Sequence, residues 1–147
     1  HTAYRRQRQM CIRDSDYAHH PAEIKQSILS LREVFDGRKI TAIFQPHLYT
    51  RTRDFYKDFA DALSLLDEVI LLDIYPAREL PIEGVNSQLI FDRLRPEMTK
   101  RMAHLTELPQ IVAEADFDVL VVLGAGDADT YCPQLTEILL KKQATKA

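Results

Sequence analysis

The sequence is poor in several residues that mark particular classes of protein. Among its 147 residues are two cysteines, four glycines and no tryptophan. Two cysteines cannot build the disulfide framework of a small secreted domain, which favours a reducing compartment. The longest uninterrupted apolar runs, such as Val119–Leu123, are too short to span a membrane as a helix. The glycines form neither a P-loop nor a complete dinucleotide-binding motif, which excludes those two phosphate-binding loops.

What is present is the composition of an ordinary globular domain. Apolar residues make up 46% of the chain and charged residues 28%, in a length that fits one domain. The chain has 19 basic and 22 acidic residues, a formal net charge of −3. Because mild acidity disfavours non-specific attraction to phosphate backbones, we expect no nucleic-acid partner. We also expect no association with a membrane.

The basic residues are concentrated at the start of the chain. Residues 1–13 hold four arginines and no acid, so the remainder has 15 basic and 22 acidic residues, or −7. A basic arm or a transit peptide would explain the charge. Residues 6–15, RQRQMCIRDS, instead resemble translated sequencing-adapter sequence at the ends of proteins from assembled environmental DNA. We therefore expect residues 1–15 to be a non-native, adapter-like segment, and residues 16–147 to be one domain from the 3′ part of a longer gene.

Three short aliphatic runs predict the strands of a sheet. The runs at residues 40–44, 69–72 and 119–123 lack polar alternation, which is typical of strands covered on both faces of a parallel sheet. Residues 102–105 are compatible with a further short strand. The sequence therefore predicts several parallel strands with helices on both sides.

Amphipathic segments between these runs predict the helices. Apolar residues recur at helical spacing after Pro21, which suits a first helical position, and again from about Arg53. Further helices are predicted at residues 87–94, at residues 108–115 and after residue 127. The fold class that follows is α/β: a Rossmann-like, open and mostly parallel sheet flanked by helices.

Polar, aromatic and basic residues gather where the predicted strands end. Ligands of open α/β sheets bind beyond the carboxyl ends of the strands, so these loops are the candidate site. Arg51 and Arg53 suit carboxylates or phosphates, and their predicted place just before a helix N-terminus also favours anions. The alternative is a solvated basic turn balanced by Asp54 and Asp58. The loop segments are DYAHHP at residues 16–21, QPHLYTRTR at 45–53, DIYPARE at 73–79 and GAGD at 124–127.

Histidines are frequent in these loops, but their spacing does not match a known zinc pattern. His19, His20 and His47 are three of the five in the chain, and the adjacent pair would point apart. A helix-capping turn is the alternative for residues 16–21, and a bare tight turn is the alternative for the glycines at 124–127. We expect no metal site in this chain.

These segments, in this order, resemble the C-terminal domain of the Mur ligases. The resemblance covers residues 16–147 and is carried by DYAHHPAE at 16–23, FQPHLYTRTRD at 44–54, DIYPARE at 73–79 and GAGD at 124–127. The segment at 44–54 is the most specific. It is similar to the branch that joins L-alanine to UDP-N-acetylmuramate, rather than to sister enzymes that add later amino acids or recycle a tripeptide.

The resemblance implies an ATP-dependent, amide-forming ligase of bacterial peptidoglycan synthesis in the cytoplasm. ATP would convert the muramate carboxylate into an acyl phosphate, which the amine of L-alanine attacks. The family has three domains, and the missing N-terminal and central ones would bind the UDP-sugar, Mg²⁺ and most of ATP. The present domain would position substrates and hold no catalytic residue, so the fragment alone is expected to be inactive.

The resemblance also implies a role for five side chains. Asp16 would hydrogen-bond the ribose of ATP. Tyr17, His19 and His47 would line the amino-acid pocket, and Arg51 would hold the carboxylate of L-alanine.

Leu48 departs from the family pattern, because many members have a second arginine there. Arg51 would then act alone, or with help from Arg53. Three alternatives remain open at this stage: a free-standing α/β module that binds a small anion, a sister ligase for another amino acid or peptide, and a histidine metalloenzyme.

Overall fold

Five parallel strands form one sheet in a computed structural model that describes residues 11–13, 20–123 and 130–146. The spatial order of the strands is β1-β5-β2-β3-β4, and every pairing is parallel. This confirms the predicted fold class. The strands are β1 Cys11–Arg13, β2 Ile40–Phe44, β3 Glu68–Leu72, β4 Thr99–Ala103 and β5 Val119–Leu123.

A helix lies along the chain between each strand and the next, as connections between parallel strands require, and one more helix follows β5. In the described part of the chain they are α1 Pro21–Val34, α2 Tyr49–Leu63, α3 Gln88–Phe91, α4 Leu108–Glu114 and α5 Cys132–Lys146, with a 3-10 turn at Leu105–Glu107. None of these described helices is both long and apolar enough to cross a lipid bilayer.

The sheet separates two apolar cores because its central strands alternate their side chains between the faces. Ala42 and Phe44 pack on the side of α1, α2 and α3, whereas Ile43 packs on the side of α4 and α5. All five residues of β2 and of β5 are buried, as their aliphatic composition predicts. The two core strands therefore hold the loops at their carboxyl ends on a rigid base.

Three predicted elements have clearly different bounds in the structure, and one of them is the helix predicted at 87–94, which is Gln88–Phe91. Strand β4 is Thr99–Ala103 rather than 102–105, because it is an edge strand whose residues alternate between exposed and partly buried and so lack an aliphatic run. Helix α2 begins at Tyr49 rather than near Arg53. Arg51 and Arg53 consequently lie within the helix and not in a loop before it.

For residues 16–21, one interpretation of the sequence was a turn that caps a helix. The described residues His20 and Pro21 fit it, because His20 caps the start of α1. The Nδ1 atom of His20 accepts a hydrogen bond from the N–H of Ala22 at 3.4 Å, and Glu23 accepts one from the N–H of His20 at 3.2 Å. Pro21 occupies the first helical turn, where its missing N–H costs nothing.

Strand β1 lies within the segment predicted to be adapter-like. The backbone of Cys11–Arg13 pairs with β5, with Ile12 beside Val121. The assignment of residues 1–15 as non-native stays a prediction, as does the domain boundary at residue 16.

Candidate functional site

His47 and Arg51 come together beyond the carboxyl end of β2. The Nη1 atom of Arg51 lies 3.1 Å from Nδ1 of His47, and both side chains are partly buried. A guanidinium has only donor groups, so Nδ1 of the imidazole must accept this hydrogen bond. In this contact the imidazole of His47 orients the guanidinium of Arg51.

Tyr75 stacks against His47 from the neighbouring loop. The two ring centroids are 5.5 Å apart and their planes differ by 16°. The N–H of Leu48 donates to Tyr75 O at 2.8 Å, and the N–H of Tyr75 donates to Pro46 O at 2.8 Å. The parallel pairing of β2 with β3 thus continues beyond the strands and holds the imidazole in place.

Glu79 closes the N-terminus of α2. Its Oε1 atom accepts hydrogen bonds from the backbone N–H groups of Tyr49 at 2.6 Å and Thr50 at 3.1 Å, and its Oε2 accepts from Oγ1 of Thr50 at 2.5 Å. The Thr50 hydroxyl and these two amides lower the pKa of Glu79 below its ordinary value. The helix N-terminus expected to attract an external anion is therefore occupied by a carboxylate of the chain itself.

Arg53 has a different partner from Arg51. Its Nε donates to Oδ1 of the adjacent Asp54 at 2.9 Å, and both side chains are half exposed. The interpretation of a solvated basic surface therefore fits Arg53.

Asp73 and His104 meet at the same edge of the sheet, one residue beyond β3 and β4. Oδ2 of Asp73 lies 2.5 Å from Nδ1 of His104, with both side chains largely exposed. The hydrogen bond and the negative charge of Asp73 raise the pKa of His104. The sequence pattern missed this pair because His104 fell inside the strand predicted at 102–105.

The other residues predicted for the site are outside the described part of the chain. These are Asp16, Tyr17 and His19, together with the glycine-containing turn at 124–127. His47 and Arg51 are thus the two predicted site residues that the structure brings together. Tyr75 and Glu79 belong to a segment singled out by its position after β3, but the pattern gave no role to either side chain.

The described residues do not form a cluster of side chains that could hold a metal ion. In the ranges 11–13, 20–123 and 130–146, no three His, Cys, Asp or Glu side chains are grouped to hold an ion. The described residues at this end of the sheet include groups that suit an anion, a guanidinium in contact with a stacked imidazole.

A family model described as "Mur ligase, glutamate ligase domain" matches residues 4–126. The chain belongs to the Mur ligase family. A UDP-N-acetylmuramate–L-alanine ligase of Phocaeicola vulgatus is 64% identical over 128 residues, which are 87% of this chain and 28% of that protein. A ligase of the same name from Parabacteroides distasonis is 57% identical over 127 residues, 86% of this chain and 27% of the relative.

The fold is also that of a solved Mur ligase. The crystal structure of a UDP-N-acetylmuramate-alanine ligase from Thermotoga maritima superposes with a TM-score of 0.62 at 24% identity, over 93% of this chain and 27% of that one. This Mur ligase domain therefore spans little more than a quarter of the length of the curated relatives it matches.

Proposed function

We propose that this chain is the amino-acid-positioning part of an ATP-dependent ligase that joins L-alanine to UDP-N-acetylmuramate. The His47–Arg51 pair at the carboxyl edge of the sheet carries the proposal, because a small amino acid offers little apolar surface and must be oriented through its charges. The names and identities of the relatives from Phocaeicola vulgatus and Parabacteroides distasonis support this substrate. The product would be a precursor of peptidoglycan.

Arg51 would bind the carboxylate of L-alanine. One N–H of its guanidinium is directed to His47, and its other N–H groups can form a bidentate pair with a carboxylate. The stacking of His47 on Tyr75 limits the motion of this assembly, so less entropy is lost when the substrate binds. The amine of L-alanine would then be held in line with an activated muramate carboxylate.

The remaining parts of the reaction would lie largely outside the described residues. Asp16 would bind the ATP ribose, and Tyr17 and His19 would complete the amino-acid pocket with His47. ATP would activate the muramate carboxylate as an acyl phosphate. As the resemblance to the Mur ligases implies, Mg²⁺ and the phosphates of ATP would be held by other domains of a longer cytoplasmic chain.

A chimera tests this proposal directly. Residues 16–147 would replace the matching part of the Phocaeicola vulgatus ligase, and phosphate release would be measured with ATP, UDP-N-acetylmuramate and L-alanine. We expect L-alanine-dependent turnover. A chimera that folds but lacks this activity, while the intact relative has it, contradicts the proposal. Tight binding of a small anion by the 147-residue chain alone would favour the free-standing module instead.

Arg51→Ala in the active chimera should raise the KM for L-alanine by about 30-fold, the value for losing roughly 2 kcal/mol of charged hydrogen bonding. The KM for ATP should stay unchanged, because the contact is to the amino acid. Arg93→Ala, at an exposed position in the loop after α3, is the matched control. Equal KM values for L-alanine in Arg51→Ala and wild type would remove Arg51 from the site.

A further inference from the structure

We propose that Glu79 is a positioning residue of this site, which fixes the first turn of α2 and thereby the place where Arg51 presents its guanidinium. The inference rests on the proposed function for its effect on L-alanine. The contacts between Glu79 and α2 lie within the described residues and do not depend on that function. They can therefore be tested both with and without catalysis.

The geometry of the cap leaves the first turn of α2 little freedom. Both oxygens of Glu79 are used, Oε1 by the amides of Tyr49 and Thr50 and Oε2 by the Thr50 hydroxyl. The residue at the usual capping position, Leu48, has no side-chain hydrogen bond to offer. The carboxylate of Glu79 supplies that cap from the loop after β3, and Arg51 follows Thr50 directly.

Residues 75–79 act as a brace on both sides of the His47–Arg51 pair. At one end Tyr75 stacks on His47 and exchanges backbone hydrogen bonds with the segment that carries it. At the other end Glu79 holds the helix that carries Arg51. Between them a tight turn, with a hydrogen bond from Glu79 N to Pro76 O at 2.9 Å, sets the length of the brace.

Ala77 shows that this turn is conformationally demanding. Its φ angle is +53°, in the left-handed region that a residue with a Cβ atom seldom adopts. Such a conformation persists where surrounding contacts fix it, and here the contacts on either side are those of Tyr75 and Glu79. The brace is thus held at both ends around a strained residue.

Glu79 also decides which positive group an incoming carboxylate meets. Its negative charge offsets the partial positive charge of the α2 N-terminus, which would otherwise compete with the guanidinium for an anion. The carboxylate of the substrate is thereby directed to Arg51 and not to the helix end.

The catalytic arm of the test compares variants in the active chimera. Glu79→Ala should raise the KM for L-alanine by about tenfold, in the range expected from loss of a helix cap. The KM for ATP and kcat should change by less than about twofold. Glu79→Gln should restore most of the affinity, because its Oε1 still accepts from both amides. Glu83→Ala, an exposed carboxylate in the same loop, is the control and should behave as wild type.

The structural arm uses the 147-residue chain and needs no activity. Amide hydrogen exchange of Tyr49 and Thr50 should accelerate in Glu79→Ala, and the NMR signals of the His47 ring should shift, with neither change in Glu83→Ala. Unchanged exchange in the chain, or an unchanged KM for L-alanine in an active Glu79→Ala chimera, overturns the role of Glu79. An inactive wild-type chimera overturns the proposed function instead. The hydrogen-exchange result then decides by itself whether Glu79 fixes the first turn of α2.

Discussion

Arg51 and Arg53 are two residues apart in α2 and have different partners. Positions two apart in an α-helix are rotated by about 200°, so their side chains leave nearly opposite sides of the helix. One guanidinium therefore reaches His47 and the other pairs with Asp54 at the exposed surface. The sequence shows that the segment is basic. Which arginine contacts His47 depends on where α2 begins, because this decides the direction in which each side chain leaves the helix.

His104 gives a residue-scale prediction. Its hydrogen bond with Asp73 and the charge of that carboxylate favour the protonated imidazole, so its pKa is raised. NMR titration should give a midpoint above the ordinary value of about 6.5. The favourable interaction is fully present below that pH and is lost as the pH rises through the raised pKa of the folded state.

Asp73→Asn should move the His104 midpoint back toward the ordinary histidine value. Asp36→Asn, an exposed carboxylate that follows α1 at the opposite edge of the sheet, is the control and should leave the midpoint in place. A His104 midpoint that is the same in wild type and in the Asp73→Asn variant would show that the pair does not form in solution.

At the scale of elements, the strands whose own sequence is an uninterrupted aliphatic run were predicted with nearly correct bounds. The aliphatic runs of β2 and β5 match their predicted bounds, and the run at 69–72 is lengthened only by Glu68. The beginning of α2 was not predictable from its own residues, since the cap comes from Glu79 some thirty positions later in the chain. The loop partners Tyr75 and Glu79 were missed for the same reason.

Lys142 provides an element-scale prediction, because it joins α5 to the end of α4. Its Nζ donates to Val112 O at 3.0 Å and to Ala115 O, from a largely buried side chain. Lys142→Met keeps the apolar stem but leaves these carbonyls without the cation, and should lower the free energy of unfolding by about 1–2 kcal/mol. Urea denaturation measures the change.

Lys141→Met is the matched control for that experiment. Lys141 is exposed and pairs with Glu137 one helical turn away, a contact worth about 0.5 kcal/mol or less. Equal losses for the two variants would mean that the contact between Lys142 and α4 adds nothing to stability.

At the scale of the molecule, the two ends of the sheet have different roles. The amino ends of the strands are joined by ion pairs, Arg32 with Asp67 at 2.9 Å and Arg38 with Asp118 at 2.5 Å. The carboxyl ends hold the His47–Arg51 pair and its brace. Substitutions at the amino ends of the strands should therefore change stability, and substitutions at the carboxyl ends should change the proposed binding function.

Asp67 tests this division through its pH dependence. Burial opposes its charge, but the hydrogen bonds from Arg32 and from the N–H of Ile40 prevail and lower its pKa. The stability it contributes is fully present above about pH 3.9, the ordinary value for an aspartate, and is lost as the pH falls through the lowered pKa of the folded state.

Asp67→Asn should therefore be less stable than wild type at pH 7, with the difference in free energy of unfolding shrinking below about pH 4. Asp61→Asn, at an exposed position of α2, should show no such pH-dependent difference. In the chimera, Asp67→Asn should leave the KM for L-alanine unchanged. A difference that persists undiminished at low pH would contradict the role of the Asp67 charge.

Strand β5 is the last of the described strands along the sequence, yet it lies between β1 and β2 in the sheet. During synthesis on the ribosome, β2 can pair with β3 on one side but has no partner on its other side until residues 119–123 have been made. Until then the aliphatic β2 is an open edge, which is the kind of surface that templates aggregation. We therefore expect termination before residue 119 to leave this edge of β2 without a partner strand and to give an aggregation-prone product rather than a smaller folded one.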